Sequence, residues 1–349
     1  MKPKTIGIIT PGIRPNCINS WDADSVITGI PGSEEAVIYI SKELAVLGHQ
    51  VIIYGDPPPN SIHSHPSSNP RYVDAKDSKS AKLDIAIAWS LPPSVVNDLK
   101  DIAAKVYLWP HGFIYQITQD EIDQIDGVLW ISQWQRTVTL RRFPNMERFK
   151  RVFGNGIVPD QFPPISERLN PHSCIYGSNY ARGLELLLEI WPEVKDRYPR
   201  ATLDIYYGWQ SFGALTPEKE RELRNKIPTL CDLDVREHGR VSHEELTRAF
   251  NRASLWTFPS AEVETFCITA LRAQYAGAVP VVYRWAALEE TVQHGYYCSE
   301  YSEFPSLMIW ALGEAEKISV DQRKCMRAFI DKKFTWKEIA ARWLEYFDE

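Results

Sequence analysis

The chain has 349 residues and a net charge of −6, with 44% hydrophobic and 24% charged residues. This length exceeds what one hydrophobic core usually organises, so we expect two domains of roughly 150 residues each. The composition excludes a disordered chain, and the mildly acidic balance argues against nucleic acid as a partner. Because no run of about 18 apolar residues occurs, we expect no integral membrane segment.

The cysteines are scattered, with no C-x-x-C pair and no metal-ligand spacing. Such cysteines are usually reduced and buried in a chain of this size. The N-terminal apolar stretch lacks a signal-peptide cleavage site and predicts a first strand. We therefore expect a cytoplasmic location.

In the first half, short apolar runs alternate with helical patterns. Apolar residues at helical spacing predict a helix over Glu34–Leu47, with Ser33 as its N-cap. Such alternation is typical of an α/β fold with a parallel sheet covered on both faces. The predicted strands of this half are Thr5–Thr10, Val51–Tyr54, Asp84–Trp89, Val106–Trp109 and Val128–Ile131.

The second half repeats the arrangement, and Ser242 followed by Glu245 is a capping-box signature. The predicted strands are Cys174–Tyr176, Thr202–Tyr207, Val235–His238, Leu255–Phe258 and Val279–Val282. The predicted helices are Leu184–Arg197, Pro217–Lys226, Ser242–Ala253 and Phe266–Ala276. Glycines and prolines within Gly154–Pro164 break the periodicity. The predicted domains are therefore 1–155 and 156–333.

Ligands of doubly wound folds bind where strands end and helices begin, so the connecting loops are where chemistry is expected. The loop Pro11–Gly32 is far longer than the usual connection of about 2–6 residues. It ends in Gly29-Ile-Pro-Gly32, which either admits a ligand to the helix that follows or is a simple helix-entry turn. His111 follows a predicted buried strand directly, and a structural and a functional role are equally compatible with that position.

Two Asp-x-Asp tripeptides, Asp22–Asp24 and Asp232–Asp234, have the form that holds a divalent cation on a diphosphate. Such tripeptides are common by chance. His63 and His65 form a second possible metal pair, but the polar loop Asp56–Pro70 around them favours a solvated turn. We therefore expect no metal and no cofactor.

Two loops of the second half carry stronger signals. Arg182 stands just ahead of a predicted helix, where a cation is unfavourable unless an anion binds there. After the strand Leu255–Phe258, Glu264 precedes a small-residue helix whose first amides, those of Phe266, Cys267 and Ile268, suit phosphate oxygens. A carboxylate beside these amides predicts hydrogen bonds to sugar hydroxyls.

Together these segments resemble family 4 of the retaining glycosyltransferases, which have two Rossmann-like domains in the GT-B fold. The resemblance covers nearly the whole chain, and FPSAEVETFCITALRAQYAGAVPVV is its most specific stretch. GSEEAVIYISKELAVLGHQVIIYG, NGIVPDQF and HGRVSHEEL also match the family. The tail from Phe334, residues 334–349, resembles the closing helix that crosses back to the N-terminal domain.

The resemblance implies a role for each matched position. Gly32 would face the donor diphosphate, His111 would meet the donor sugar, and Arg182 would grip the diphosphate. The pocket for the nucleotide base would be lined by Gly239, Arg240 and Val241. Glu264 would hold sugar hydroxyls, and the amides after it the phosphates.

Two positions depart from the family pattern. Arg272 stands where a second Glu usually contacts the ribose, and Gly177, followed by Ser178, stands where an Arg is frequent. These departures affect donor affinity and nucleotide preference. The sequence leaves open a pairing of Arg272 with a carboxylate such as Glu262.

The predicted function is retaining transfer of a hexose from a GDP-mannose or UDP-glucose type donor to a hydroxyl of a glycan or another acceptor. A degenerate sugar-nucleotide-binding protein is the first alternative, and a nucleotide-sugar epimerase or phosphorylase is the second. A homodimer is also possible from the sequence.

Overall fold

The computed structural model of the chain describes residues 2–11, 20–209 and 215–349. The chain divides into two compact units. The first consists of Met1–Ser25, Ile30–Gly156 and Trp336–Glu349, and the second of Val26–Gly29 and Ile157–Thr335. Within the described ranges, none of the helices combines the length and the apolar character needed to cross a bilayer.

Each unit contains a parallel sheet to which six strands belong in the described chain. The first sheet consists of β1 (Thr5–Ile9), β2 (Gln50–Gly55), β3 (Arg71–Asp74), β4 (Leu83–Trp89), β5 (Ala103–Trp109) and β6 (Gly127–Val128). The second consists of β7 (Ser173–Gly177), β8 (Thr202–Tyr206), β9 (Val235–Gly239), β10 (Leu255–Phe258), β11 (Val279–Tyr283) and β12 (Tyr296–Cys298).

The two sheets share one topology. The strand orders are β3-β2-β1-β4-β5-β6 and β12-β11-β10-β7-β8-β9. In both, the order reverses between the first and fourth strands of the unit, which is the Rossmann arrangement and places the ligand crevice beside that reversal. In the first sheet Ile8 lies opposite Ile53 and Ile87, and in the second Trp256 lies opposite Ile175 and Pro280. The predicted α/β class with two Rossmann-like sheets is confirmed.

Helices connect the strands and cover the sheets. They are α1 (Ser25–Thr28), α2 (Gly32–Val46), α3 (Val96–Lys100), α4 (Gln119–Gln124), α5 (Gln133–Arg142), α6 (Leu184–Arg197), α7 (Pro217–Thr229), α8 (His243–Arg252), α9 (Ile268–Ala276), α10 (Leu288–Thr291), α11 (Phe304–Glu314), α12 (Val320–Lys333) and α13 (Trp336–Phe347).

The closing helix α13 belongs to the first unit, where it packs on α2. Its buried Trp343 lies edge-on to Trp109 of β5, with ring centroids 4.8 Å apart. Large buried rings of this kind supply much of the apolar area that stabilises a core. The predicted return of the C-terminal helix to the N-terminal domain is therefore confirmed.

The local predictions differ from the structure at several places. Ser33 is not the N-cap of α2, because the helix begins at Gly32 and Pro31 occupies the cap. The strand predicted over Val128–Ile131 is only Gly127–Val128. The short edge strands β3 and β12 were missing from the prediction. Ser242 does cap α8, accepting a hydrogen bond from the Glu245 amide at 3.0 Å. Residues 12–19 of the predicted loop Pro11–Gly32 lie outside the described chain.

Candidate functional site

The loop between β7 and α6 is held closed by its own hydrogen bonds. The Tyr176 hydroxyl donates to the carbonyl of Asn179 at 2.6 Å and lies 3.1 Å from that of Arg182. The Arg182 amide donates to the Asn179 carbonyl at 2.9 Å. Because Tyr176 is buried in the sheet, it fixes the backbone from which the Arg182 side chain extends.

Gly183 brings this loop against the end of β10. It has a φ of 86°, in the left-handed region that side chains rarely adopt. A Cβ placed on it would lie 1.8 Å from the carbonyl oxygen of Pro259. Glycine is therefore required both by the conformation and by the close approach of two backbones.

The loop between β10 and α9 carries Glu264 and Cys267. Cys267 is the N-cap of α9 and has a φ of 72°. This conformation delays the start of the helix to Ile268, two residues after the predicted Phe266. The Phe266 amide therefore lies ahead of the helix, and the buried Phe266 ring packs near Phe334, with centroids 5.9 Å apart.

Arg182 and Glu264 form a salt bridge in which Arg182 Nη1 lies 2.7 Å from Glu264 Oε1. Their side chains are 32% and 14% exposed, respectively. Burial raises the pKa of Glu264 above its usual value, and Arg182 opposes that shift only in part. Burial, the largest single effect, lowers the pKa of Arg182, but Glu264 together with Cys267, Tyr176 and Tyr207 outweighs it, so the net shift is upward. Burial, together with Glu264, also raises the pKa of the Cys267 thiol well above its usual range.

This pair lies beside the reversal of strand order in the second sheet. Arg182 follows β7 and Glu264 follows β10, which are the two strands between which the order reverses. Ligands of open parallel sheets bind outside the carboxyl ends of the strands at that place. The first amides of α9 stand at the same edge, where the helix dipole favours an anion.

Gly177 and Ser178 precede Arg182 on the same loop. A Cβ at Gly177 would lie 2.9 Å from the ring of Phe250, so the Arg that is frequent in the resembled family would require Phe250 to shift. Ser178 is half-buried.

Gly239 is the last residue of β9, and Arg240 and Val241 follow it. This segment meets the loop that follows β8. The Tyr207 amide donates to the Gly239 carbonyl at 2.9 Å. The Arg240 guanidinium lies over the Tyr207 ring, 5.2 Å from its centroid. Tyr207 has a φ of 124°, a strained value for a bulky residue and one that occurs mostly at functional sites. Nothing in the sequence pattern indicated Tyr207.

Arg272 is buried in the helical layer of the second unit. Its Nη1 donates to Thr247 Oγ1 at 3.2 Å, so its side chain extends from α9 toward α8. The sequence left open a pairing with Glu262, whereas in the structure the side chain contacts Thr247.

Gly32 and His111 belong to the first unit. Gly32 is the first residue of α2, and the amides of Gly32 and Ser33 precede the first hydrogen bond of the helix, from Glu35 to Pro31. Amides in this position are suited to an anion. His111 lies two residues after β5, edge-on to Trp109 and Trp89 at centroid distances of 4.7 and 5.8 Å.

Asp22, Asp24 and His63 come together, each with a ligand atom within 4.8 Å of the others. His63 Nε2 is 3.0 Å from Asp24 Oδ1, and Asp22 accepts hydrogen bonds from Ser61 Oγ and the Asp24 amide. His65 instead contacts Ser67 Oγ at 2.7 Å. In the second Asp-x-Asp tripeptide, Asp232–Asp234, the Asp234 carboxylate forms ion pairs with Lys195 and Arg236 at 2.8 and 3.0 Å.

Of the predicted site residues, Arg182, Glu264 and Cys267 are brought together in the second unit. Gly239, Arg240 and Val241 form a neighbouring group with Tyr207. Tyr176, Gly183 and Pro259 position these groups, and the sequence analysis singled out none of the three.

The second unit matches a known family. Residues 171–309 match the family model described as "Glycosyl transferases group 1". This segment contains both loops of the Arg182–Glu264 pair. Residues 171–309 are therefore similar to a group 1 glycosyltransferase domain. A search of the curated proteins found no match.

Solved structures of similar fold cover the whole chain. Sucrose-phosphate synthase from Thermosynechococcus elongatus has a TM-score of 0.74 at 15% identity, covering 99% of this chain and 98% of its own. A glycosyltransferase from Rickettsia africae gives the same values. Anabaena HepE in complex with UDP-glucose has a TM-score of 0.71 at 14% identity, covering 99% of both chains. The fold is thus the GT-B fold of glycosyltransferases.

Proposed function

We propose that the protein is a retaining glycosyltransferase of family 4 that moves a hexose from a nucleotide-diphosphate sugar to an acceptor hydroxyl. The observation that carries the proposal is the Arg182–Glu264 pair beside the first turn of α9. A cation, a carboxylate and helix amides at one sheet edge match a ligand with both phosphates and hydroxyls. Anabaena HepE, which has the same fold, is described in complex with UDP-glucose.

The proposed chemistry begins with the bond between the anomeric carbon and the diphosphate. As this bond breaks, negative charge grows on the leaving phosphate. Arg182 and the amides of α9 are fixed before the reaction, so they stabilise this charge without the cost of reorganisation. Their charge and dipoles perform the task in the proposal, which requires no metal.

Glu264 is proposed to bind sugar hydroxyls. A half-buried carboxylate accepts hydrogen bonds strongly, and such a contact distinguishes one hexose from another. In the free protein the carboxylate is bonded to Arg182. Donor binding would therefore exchange this internal pair for contacts to the ligand: phosphate oxygens for Arg182 and hydroxyls for Glu264.

The proposal includes retention of configuration at the anomeric carbon. Attack takes place on the face that the diphosphate leaves, with a leaving phosphate oxygen taking the acceptor proton. In this proposal the anomeric carbon exchanges one C–O bond for another, and the acceptor proton ends on the nucleotide diphosphate. His111 is proposed to contact the donor sugar from its own loop.

Product analysis tests this proposal. The protein is incubated with UDP-glucose or GDP-mannose without divalent metal, and the released nucleotide and sugar are followed by NMR. Slow release of a sugar whose first-formed anomer has the donor configuration is the expected result. An inverted anomer would refute retention, and an epimerised donor would indicate a different reaction type.

A sugar-nucleotide-binding protein without turnover is the second candidate. Two observations favour it: Phe250 fills the space at Gly177, and Arg272 bonds to Thr247 within the helical layer. Tight donor binding without any sugar release, even with a range of acceptors, would support this candidate over the enzyme.

A further inference from the structure

Three aromatic side chains lie together beyond the carboxyl end of β5 in the first unit. The Phe113 ring centroid is 6.0 Å from that of Tyr115 and 6.0 Å from that of Trp134. Tyr115 is 66% exposed, and Phe113 and Trp134 are half-buried. We call these three residues the aromatic patch. Clustered exposed rings mark binding surfaces more often than single exposed apolar residues do.

The backbone beneath the patch is firmly held. Gln135, fully buried on α5, donates through Nε2 to the carbonyls of Pro110 and Gly112 at 2.8 and 2.7 Å. Its Oε1 accepts from the Ile131 amide at 3.2 Å. One side chain thus ties the loop that carries His111 and Phe113 to the first turn of α5, which carries Trp134. The rings are positioned before any ligand arrives, which lowers the entropic cost of binding.

The two segments that carry the patch are polar but uncharged. The segments Gly112–Gln119 and Ser132–Gln135 contain no ionisable side chain apart from the Tyr115 phenol. Gln116 and Gln133, both exposed, carry amide groups next in sequence to Tyr115 and Trp134, and Gln133 Nε2 donates to Thr137 Oγ1 at 3.3 Å. A phosphate or carboxylate ligand would find no cation in these segments, so they favour a neutral ligand rich in hydroxyl groups.

We propose that the aromatic patch is the acceptor subsite and that it takes a neutral saccharide. A pyranose has an apolar C–H face and a rim of hydroxyls, which matches aromatic rings bordered by amides. The C–H face stacks on Tyr115 and Trp134, and the hydroxyls bond to Gln116 and Gln133. This inference rests on the proposed glycosyl transfer, because it names the acceptor class of that reaction. The loop that carries Phe113 and Tyr115 also carries His111, to which the proposed function assigns a contact with the donor sugar.

Saturation-transfer NMR with maltose and cellobiose as probes tests the proposal, because it detects weak binding through the sugar ring protons. We compare the wild type with Tyr115→Ala, Tyr115→Phe and Trp134→Ala. Tyr297→Ala is the matched control, since Tyr297 is a 51% exposed tyrosine on the second unit. Tyr115 is exposed, so its variants should fold even if Trp134→Ala does not.

The expected result is binding that weakens about threefold to tenfold in Tyr115→Ala and is retained in Tyr115→Phe and Tyr297→Ala. Absence of saccharide binding to the wild type, or equal binding to Tyr115→Ala, would overturn the proposal. Binding instead to phosphatidylglycerol vesicles in a Tyr115-dependent manner would also overturn it, in favour of a lipid surface.

The same variants are titrated with UDP-glucose and GDP-mannose, and donor affinity should be unchanged in all of them. If saccharide binds at the patch but the wild type binds neither donor nor bare nucleotide, the proposed glycosyl transfer fails while the saccharide site remains. If donors bind and saccharides do not, only the acceptor subsite fails.

Discussion

Arg182 Nη1 and Glu264 Oε1 lie 2.7 Å apart, although 82 positions separate the two residues in sequence. Each follows one of the two strands between which the order of the second sheet reverses. Part-buried opposite charges are costly to desolvate, and their attraction offsets that cost only when the geometry is good. We therefore interpret the Arg182–Glu264 pair, at the sheet edge where ligands of such folds bind, as serving ligand recognition more than the stability of the fold.

Arg182→Ala should reduce the rate of sugar transfer by about 10²–10³, the usual effect of removing one fixed donor to a developing anion. Arg182→Lys should recover part of this loss, because lysine restores the positive charge but lacks the planar guanidinium that binds phosphate through two hydrogen bonds. The measurement is kcat/KM with the preferred donor. Arg248→Ala, which removes an exposed Arg–Glu pair on α8, is the control and should leave kcat/KM unchanged. A loss below about threefold for Arg182→Ala would remove this residue from the mechanism.

Glu264→Gln should change how stability depends on pH. The folded protein binds the Glu264 proton more tightly than the unfolded chain, because burial raises its pKa above the usual 4.5. The stabilising contribution is therefore largest at low pH and is lost as the pH rises from 4.5 through the raised value. Urea unfolding across this window should show the wild type losing stability relative to the Gln variant. A relative gain with rising pH would contradict the assigned shift.

Glu264→Gln should also separate sugar recognition from nucleotide binding. If Glu264 accepts hydrogen bonds from sugar hydroxyls, the variant should lose affinity for the sugar nucleotide more than for the bare nucleotide. Calorimetric titration with both ligands measures the difference. Equal losses for the two ligands would contradict the role assigned to this carboxylate.

Gly183→Ala and Gly48→Ala form a matched pair. Both glycines have positive φ, 86° and 91°, but a Cβ at Gly48 meets nothing within 4 Å whereas one at Gly183 meets Pro259. Gly48→Ala should cost about 1–2 kcal/mol from the backbone conformation alone. Gly183→Ala should cost about 2 kcal/mol more from overpacking, with a loss of transfer as Arg182 moves. Similar free energies of unfolding for the two variants would refute the close approach.

Gln135→Ala should loosen the loop that carries His111. The carbonyls of Pro110 and Gly112 lose their partner, which costs about 1–3 kcal/mol if they stay buried. Transfer to an acceptor should fall, because this loop carries His111, which is proposed to contact the donor sugar. The exposed neighbour Gln133 supplies the control, since Gln133→Ala should leave the free energy of unfolding nearly unchanged. Unchanged stability in Gln135→Ala would show that the two bonds do not hold the loop.

The main strands were predictable from sequence because buried parallel strands are near-continuous apolar runs, as in β4 and β10. The edge strand β3 was not, because its Arg71 and Asp74 give no such run. The start of α2 was misplaced at Ser33, since a serine before two glutamates matches a cap pattern that Pro31 occupies in the structure. Local patterns fix which elements form better than where they end.

The candidate site was predictable residue by residue but not as an arrangement. Arg182 and Glu264 stood out because each precedes a helix, yet their pairing depends on the strand order. Tyr207 was missed since its strained backbone has no sequence signal. The packing of Phe250 at Gly177 was equally hidden, because it joins residues from β7 and α8 through tertiary contact alone.

Calorimetric titration of the wild type and Arg182→Ala with UDP-glucose, GDP-mannose, UDP and GDP in the presence of EDTA tests the central claim most directly. We expect the wild type to bind one sugar nucleotide without metal and Arg182→Ala to bind it at least about tenfold more weakly. Binding that appears only when a divalent cation is added, or equal affinity of the two proteins, would contradict it.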